Sequence, residues 1–123
     1  MNKKRILVVD DERYMQRLLQ FILEKTGATV ETAGSGEAAL TILRKCPADL
    51  VILDLVMAGL DGFDTVRAMR KEPGLEAIPV IMLTSRGQAE PCDKAAGLGI
   101  VAYFTKPFSP TELIDNIKQR LCL

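Results

Sequence analysis

The sequence predicts a doubly wound α/β domain, with one five-stranded parallel sheet covered by helices on both faces. Three observations predict it. Apolar runs at Ile6 to Val9, Leu50 to Leu53 and Ile78 to Leu83 lack the alternation of half-exposed strands, as expected where a strand is buried on both faces. Stretches of helical period separate these runs, and parallel strands need such crossovers. No internal repeat or low-complexity linker interrupts the alternation, so the 123 residues read as one domain over residues 1–123.

Taken in order, the first strand runs from Arg5 to Asp10, with three β-branched residues among its four apolar ones. Asp10-Asp11-Glu12 closes it and can begin a helix, since acids suit a first turn. Met15, Leu18, Leu19 and Ile22 give that helix its apolar face to about Thr26, and Gly27 ends it. Ala28 to Ala33 carries Val30 among Thr29, Glu31 and Thr32, which suits a half-exposed edge strand. After the turn Gly34-Ser35-Gly36, Ala39, Ile42, Leu43 and Cys46 line a second helix that Pro47 stops. The strand ending at Asp54 follows, then a third helix through Gly62, Phe63, Val66 and Met69 to about Lys71, ahead of Pro73-Gly74.

The strand from Ile78 to Leu83 ends in Thr84-Ser85. Gln88 to Gly97 reads as a helix with only Ala89, Cys92, Ala95 and Ala96 on its apolar face, and so as the least firmly held. Ile100 to Phe104 is the last strand. Ser109-Pro110-Thr111-Glu112 is a capping box with Pro at the first helical position, and Leu113, Ile114, Ile117 and Leu121 stripe the final helix. Right-handed crossovers leave few topologies. With the Val30 strand at an edge, the simplest order is 2-1-3-4-5, the flavodoxin-like arrangement, in which strands 1 and 3 adjoin at the switch point.

Composition narrows the function. Sixteen basic and sixteen acidic residues cancel, so there is no electrostatic footprint for direct nucleic-acid binding. The apolar run after Lys3-Lys4-Arg5 ends at Asp10, too short for a signal peptide or membrane span, and a cytoplasmic location is expected. Cys46, Cys92 and Cys122 are widely spaced in a chain without His, which disfavours zinc and Cys/His catalysis and reads as three reduced thiols.

The polar residues that stand out lie at strand carboxyl ends, where open α/β sheets bind ligands: Asp10 and Asp11, Asp54, Thr84 and Lys106. Each alone has a plainer reading: an Asp that opens a loop, a Thr satisfying backbone, a solvated Lys. Together they imply a site. Carboxylates about 5 Å apart at an effective dielectric near 20 repel by roughly 3 kcal/mol a pair, so a cluster ionised at neutrality needs a cation. Oxygen-only ligands suit Mg²⁺, with Mn²⁺ as a substitute. A metal, an ammonium and a hydroxyl around one carboxylate can stabilise a transferring phosphoryl group, with Asp54 as nucleophile.

On these residues the chain resembles the receiver domain of two-component response regulators, the CheY-like fold. Val8-Val9-Asp10-Asp11-Glu12 matches the acidic pair, Asp54 through Gly62 the phosphoacceptor loop, Met82-Leu83-Thr84-Ser85 the switch hydroxyl strand, and Tyr103-Phe104-Thr105-Lys106-Pro107-Phe108 the lysine strand. The resemblance implies that Asp54 accepts a phosphoryl group from a sensor histidine kinase or His-containing phosphotransfer protein. It implies that Asp11, Asp54 and the Val56 carbonyl ligate Mg²⁺, with Asp10 acting through water. It implies that Lys106 pairs with Asp54 and then with the phosphoryl group, that Lys106–Pro107 is cis, and that Thr84 and Tyr103 form the switch. The expected product is a conformational state, so the domain is not a conventional enzyme. The expected downstream contact is a protein bound on the face made by Gln88 to Gly97, the last strand and the last helix.

Ala58 stands where the family usually has Pro, which leaves that loop freer. Val101-Ala102 replaces a common acidic pair, so the charged dimerisation pattern is missing; a monomer is expected, with dimerisation on phosphorylation left open. Val56 and Arg86 occupy positions that tune water access, and Val56, with no group to orient water, implies slow self-dephosphorylation. The final helix ends near Leu123, which suits a stand-alone receiver; a receiver cut from a larger transcriptional or enzymatic regulator reads identically. An aspartyl-phosphate phosphatase needs a second acid where Val56 stands, and a flavin-binding protein needs a phosphate loop where Asp10-Asp11-Glu12 is acidic.

Overall fold

The computed structural model describes residues 3–57, 59–85 and 98–122. It is built from β1 (Arg5–Val9), α1 (Arg13–Glu24), β2 (Thr29–Ala33), α2 (Gly36–Lys45), β3 (Leu50–Asp54), α3 (Gly62–Arg70), β4 (Val80–Ser85), β5 (Ile100–Lys106) and α4 (Pro110–Leu121). The strands form one parallel sheet in the order β2-β1-β3-β4-β5, as predicted. The expected helix over Gln88 to Gly97 lies outside the described residues, as do Ala58, Arg86 and Cys92.

The register brings the carboxyl ends together. Val9 pairs with Leu53, Asp54 with Leu83, Thr84 with Thr105 and Ser85 with Lys106. Alternate side chains of the central strands feed two cores. Leu7, Val9, Val51, Leu53 and Met82 meet α2 and α3 on one face, while Ile6, Val8, Ile52, Ile81 and Leu83 meet α1 and α4 on the other. Every residue of β3 is buried, which explains its unbroken apolar run.

Helix starts follow their caps. The hydroxyls of Ser35 and Ser109 accept from the N–H groups of Ala38 and Glu112, and the Asp61 carboxylate accepts from Asp64. α1 departs from expectation. It begins at Arg13, so the acids lie ahead of its first turn, and Glu12 makes no side-chain cap. Leu18 also departs, because it is exposed together with Tyr14 and Phe21 in a second apolar stripe at spacings of four and three. The core stripe is Met15, Leu19, Ile22 and Leu23. Cys46 is exposed at the end of α2 instead of lining it. β4 starts at Val80, two residues later than expected, because Ile78 closes a turn onto Leu75 and Pro79 has no N–H to donate.

Arg70, at the end of α3, donates to the carbonyls of Leu98 (2.6 Å), Glu76 (3.1 Å), Leu75 (3.2 Å) and Gly99 (3.4 Å). It thereby joins α3 to the approach to β4 and to the turn before β5. Gly99 has φ +73°, and a Cβ there would lie 2.8 Å from the guanidinium, so only glycine suits the turn. Among the described residues no helix is long and apolar enough to cross a membrane.

Candidate functional site

Asp10 follows β1 directly, and its N–H extends the ladder to the Ala33 carbonyl at 3.1 Å. Its carboxylate is fully buried. One oxygen accepts from the Glu12 N–H at 2.9 Å and the other from Lys106 Nζ at 3.0 Å. Its main-chain carbonyl accepts from Gln16 Nε2 at 2.7 Å. Asp11, one residue on, is exposed, and none of the described groups bonds to its carboxylate.

Asp54 ends β3 and is 5% exposed. Its Oδ2 lies 3.2 Å from Lys106 Nζ, and its Oδ1 accepts a long hydrogen bond, 3.3 Å, from the Val56 N–H. The backbone around it is tightly packed: Leu55 N–H donates to Leu83 and Gly62 N–H donates to the Leu55 carbonyl, each at 2.8 Å. A Cβ on Gly62 would come within 2.9 Å of Leu55 Cα and 3.0 Å of the Asp54 carbonyl, so the glycine lets α3 start directly against the end of β3.

Burial pushes the Asp54 carboxyl above its ordinary value; Lys106 opposes this and the charge on Asp10 adds to it. For Lys106, burial acts downward, yet the hydrogen bond to Asp10 and the charges of Asp54 and Asp10 outweigh it, and the ammonium is held more firmly protonated. Asp11, Glu12, Asp54, Val56 and Lys106 line an open cleft of about 340 Å³.

The sequence-predicted residues therefore converge. Carboxylate oxygens of Asp10, Asp11 and Asp54 all lie within 4.8 Å of one another. Val56 lines the same cleft, with its side chain half exposed. Thr84 is buried one residue beyond Leu83, the register partner of Asp54. Tyr103 is half-buried on β5, opposite Met82, and packs against the core on the α2–α3 face. Lys106–Pro107 is cis, as the resemblance implies. Glu12, Gln16 and Gly62 were not singled out as site residues. For Gln16 the available signal was a polar residue between Met15 and Leu19, on the inward side of an amphipathic helix.

The donor set is all oxygen, and the oxygens of Asp11 and Asp54 keep free lone pairs, which fits a hard divalent cation. The family model of the response regulator receiver domain matches residues 6–118.

The chain belongs to the response regulator receiver family. Receiver domains bind Mg²⁺ at an acidic pocket, interact with histidine kinases or phosphotransfer proteins, and are generally not conventional enzymes. Among curated relatives, the protein named probable transcriptional regulator ycf27 from Porphyra purpurea is 46% identical over 121 residues, covering 97% of this chain and 48% of that protein. The DNA-binding response regulator MtrA of Mycobacterium tuberculosis is 37% identical, covering 97% and 51%. This chain spans about half the length of such relatives. Solved structures match over nearly their whole length. The Vibrio cholerae chemotaxis protein CheY4 has a TM-score of 0.88 at 29% identity, covering 96% of this receiver and 98% of that chain. The receiver domain of a signal transduction histidine kinase from Syntrophus aciditrophicus has a TM-score of 0.85 at 32% identity, covering 97% and 90%.

Proposed function

We propose that this receiver is a phosphorylation-dependent switch of a two-component His-Asp phosphorelay, with Asp54 as the phosphoacceptor. The observation that carries the reading is a nearly buried carboxylate at a strand's carboxyl end, set between one ammonium and two further carboxylates at an open cleft. An Asp54 oxygen attacks the phosphorus of a phosphohistidine on the partner; the new P–O bond forms as the P–N bond breaks, and the imidazole nitrogen leaves. Asp11, Asp54 and the Val56 carbonyl would hold Mg²⁺, with Asp10 acting through water, and the bound ion would supply charge neutralisation to the transferring group. Mn²⁺ would serve in its place.

Lys106 lies within reach of both Asp54 and Asp10, so its ammonium can follow the negative charge from the carboxylate to the phosphoryl oxygens. Thr84 then donates its hydroxyl to the phosphoryl group, and the Tyr103 ring fills the space the hydroxyl leaves. That rearrangement changes the face formed by β5 and α4, where a downstream protein binds. Tyr14, Leu18 and Phe21 form an exposed apolar stripe on α1, the helix whose N-cap Glu12 lines the cleft, and that stripe suits the phosphodonor. Balanced charge argues against direct nucleic-acid contact by these residues. The receiver acts as a monomer or dimerises on phosphorylation, in the cytoplasm. It works alone or as the receiver part of a longer regulator, as in the relatives twice its length.

Incubation with acetyl phosphate and Mg²⁺ should add one phosphoryl group to the chain, and Asp54→Asn should abolish that labelling. Labelling retained in the variant would place the acceptor elsewhere. Once formed, the phosphoryl group should be long-lived, because the exposed Val56 side chain beside it cannot orient water; a half-life of seconds with Mg²⁺ would overturn that expectation.

A further inference from the structure

Asp11 presents a contradiction. It is the exposed member of the acidic cluster, and no described group bonds to its carboxylate, yet it must offer an oxygen to a small cation that tolerates little departure from octahedral geometry. Its direction is therefore set through its backbone. Two planar peptide units flank its Cα, and fixing both fixes where the side chain leaves the chain. The unit after Asp11 is pinned by the Glu12 N–H, which donates to the Asp10 carboxylate at 2.9 Å. The unit before it is pinned at the Asp10 carbonyl, and the donor there is Gln16 Nε2 at 2.7 Å.

Gln16 stands in the first turns of α1, and its own N–H bonds back to the Glu12 carbonyl at 3.1 Å. Its amide reaches over the loop that precedes the helix and also lies 3.5 Å from the Ala33 carbonyl, at the end of β2. The residue thus braces the carboxyl ends of β1 and β2 against the start of α1. We infer that Gln16 is a positioning residue for the cation site, holding the Asp10–Asp11 peptide so that the Asp11 carboxylate is already aimed at Mg²⁺. This rests on the function proposed above. It places the determinant of metal affinity in a side chain that touches neither metal nor phosphoryl group, in the way outer-shell partners orient metal ligands.

Gln20, one turn further along α1, makes a similar helix-to-sheet bond to the Val30 carbonyl at 3.4 Å and serves as the control. Gln16→Met keeps the length and volume of the side chain but removes the donor, and Gln20→Met does the same away from the cleft. Mg²⁺ alone is titrated into the full chain and each variant, followed by backbone amide resonances, with amide exchange measured in parallel. Gln16→Met should weaken Mg²⁺ binding by about tenfold, the lower end of outer-shell effects on metal affinity. It should also speed exchange at Asp11 and Glu12 while β1 and β3 keep their protection. Gln20→Met should bind as the unaltered chain does. Unchanged affinity in Gln16→Met, or equal weakening in both variants, would overturn the inference while leaving the phosphoacceptor reading intact. Failure of the unaltered chain to bind Mg²⁺ would overturn that reading and this one with it.

Discussion

The two halves of the cleft are built differently. Its acidic half stands on β1 and β3, central strands with side chains buried on both faces. Its lysine stands on β5, at the edge of the sheet, where no residue is fully buried and the pairing with β4 slips by one position between Val80 and Ile81. Thr84, on β4, links the two halves. Carboxylates that repel one another need a rigid mount, because any relaxation would move them apart and spoil the cation site. On the function proposed above, the lysine follows charge from one acceptor to another and needs some latitude. The contrast agrees with the proposed division, chemistry at the centre of the sheet and response at its edge, since elements that move are drawn from the less stable end of a fold.

Cutting the centre should cost most. Leu53→Ala, at a fully buried position next to Asp54, should lower stability by about 2–5 kcal/mol in urea unfolding. Val101→Ala, on the exposed bulged stretch of β5, should stay within about 0.5 kcal/mol. Similar losses at both positions would remove the distinction. Lys106→Ala tests the functional side: metal binding should be largely retained. After phosphorylation, amide shifts on β1 and β3 should persist while those at Tyr103 and along β5 disappear.

The smallest effect is thermodynamic and concerns Asp54 itself. Burial, with help from Asp10, raises its pKa above the ordinary value near 3.8, so the folded chain holds that proton to higher pH than the unfolded chain does. The stability from this carboxyl is full below its unfolded pKa and is lost as pH climbs through its folded one. Without Mg²⁺, Asp54→Asn should therefore unfold at a higher temperature than the unaltered chain near neutrality, and the gap should close towards pH 3.5. A gap that widened on acidification would mean that the lysine, and not burial, governs the group.

Much of this was legible in the sequence because two physical signals were strong. Unbroken apolar runs can hardly be anything but buried strands here, and polar residues at their carboxyl ends must meet once the strand order is known. Asp10, Asp11, Asp54, Thr84 and Lys106 followed from that. Leu18 was misplaced because α1 is apolar over a wide arc, and periodicity alone cannot say which of two adjacent stripes faces the sheet. Gln16 and Gly62 were missed as site residues for a different reason. Gln16 acts through a hydrogen bond to backbone and leaves only a faint trace, a polar residue between Met15 and Leu19, while Gly62 acts through the absence of a Cβ and leaves none.

The joint made by Arg70 differs in kind from the ion pairs elsewhere. Arg5–Glu31, Arg44–Glu72 and Arg67–Asp64 each set a guanidinium against a partly exposed carboxylate, an attraction that dissolved salt screens. Arg70 rests on four peptide oxygens, which carry no net charge and hold it by short-range hydrogen bonds, and its guanidinium stays charged although burial lowers its pKa. As salt is added, those pairs weaken while this joint keeps its grip, so the end of α3 and the entrances to β4 and β5 should be among the last contacts to part.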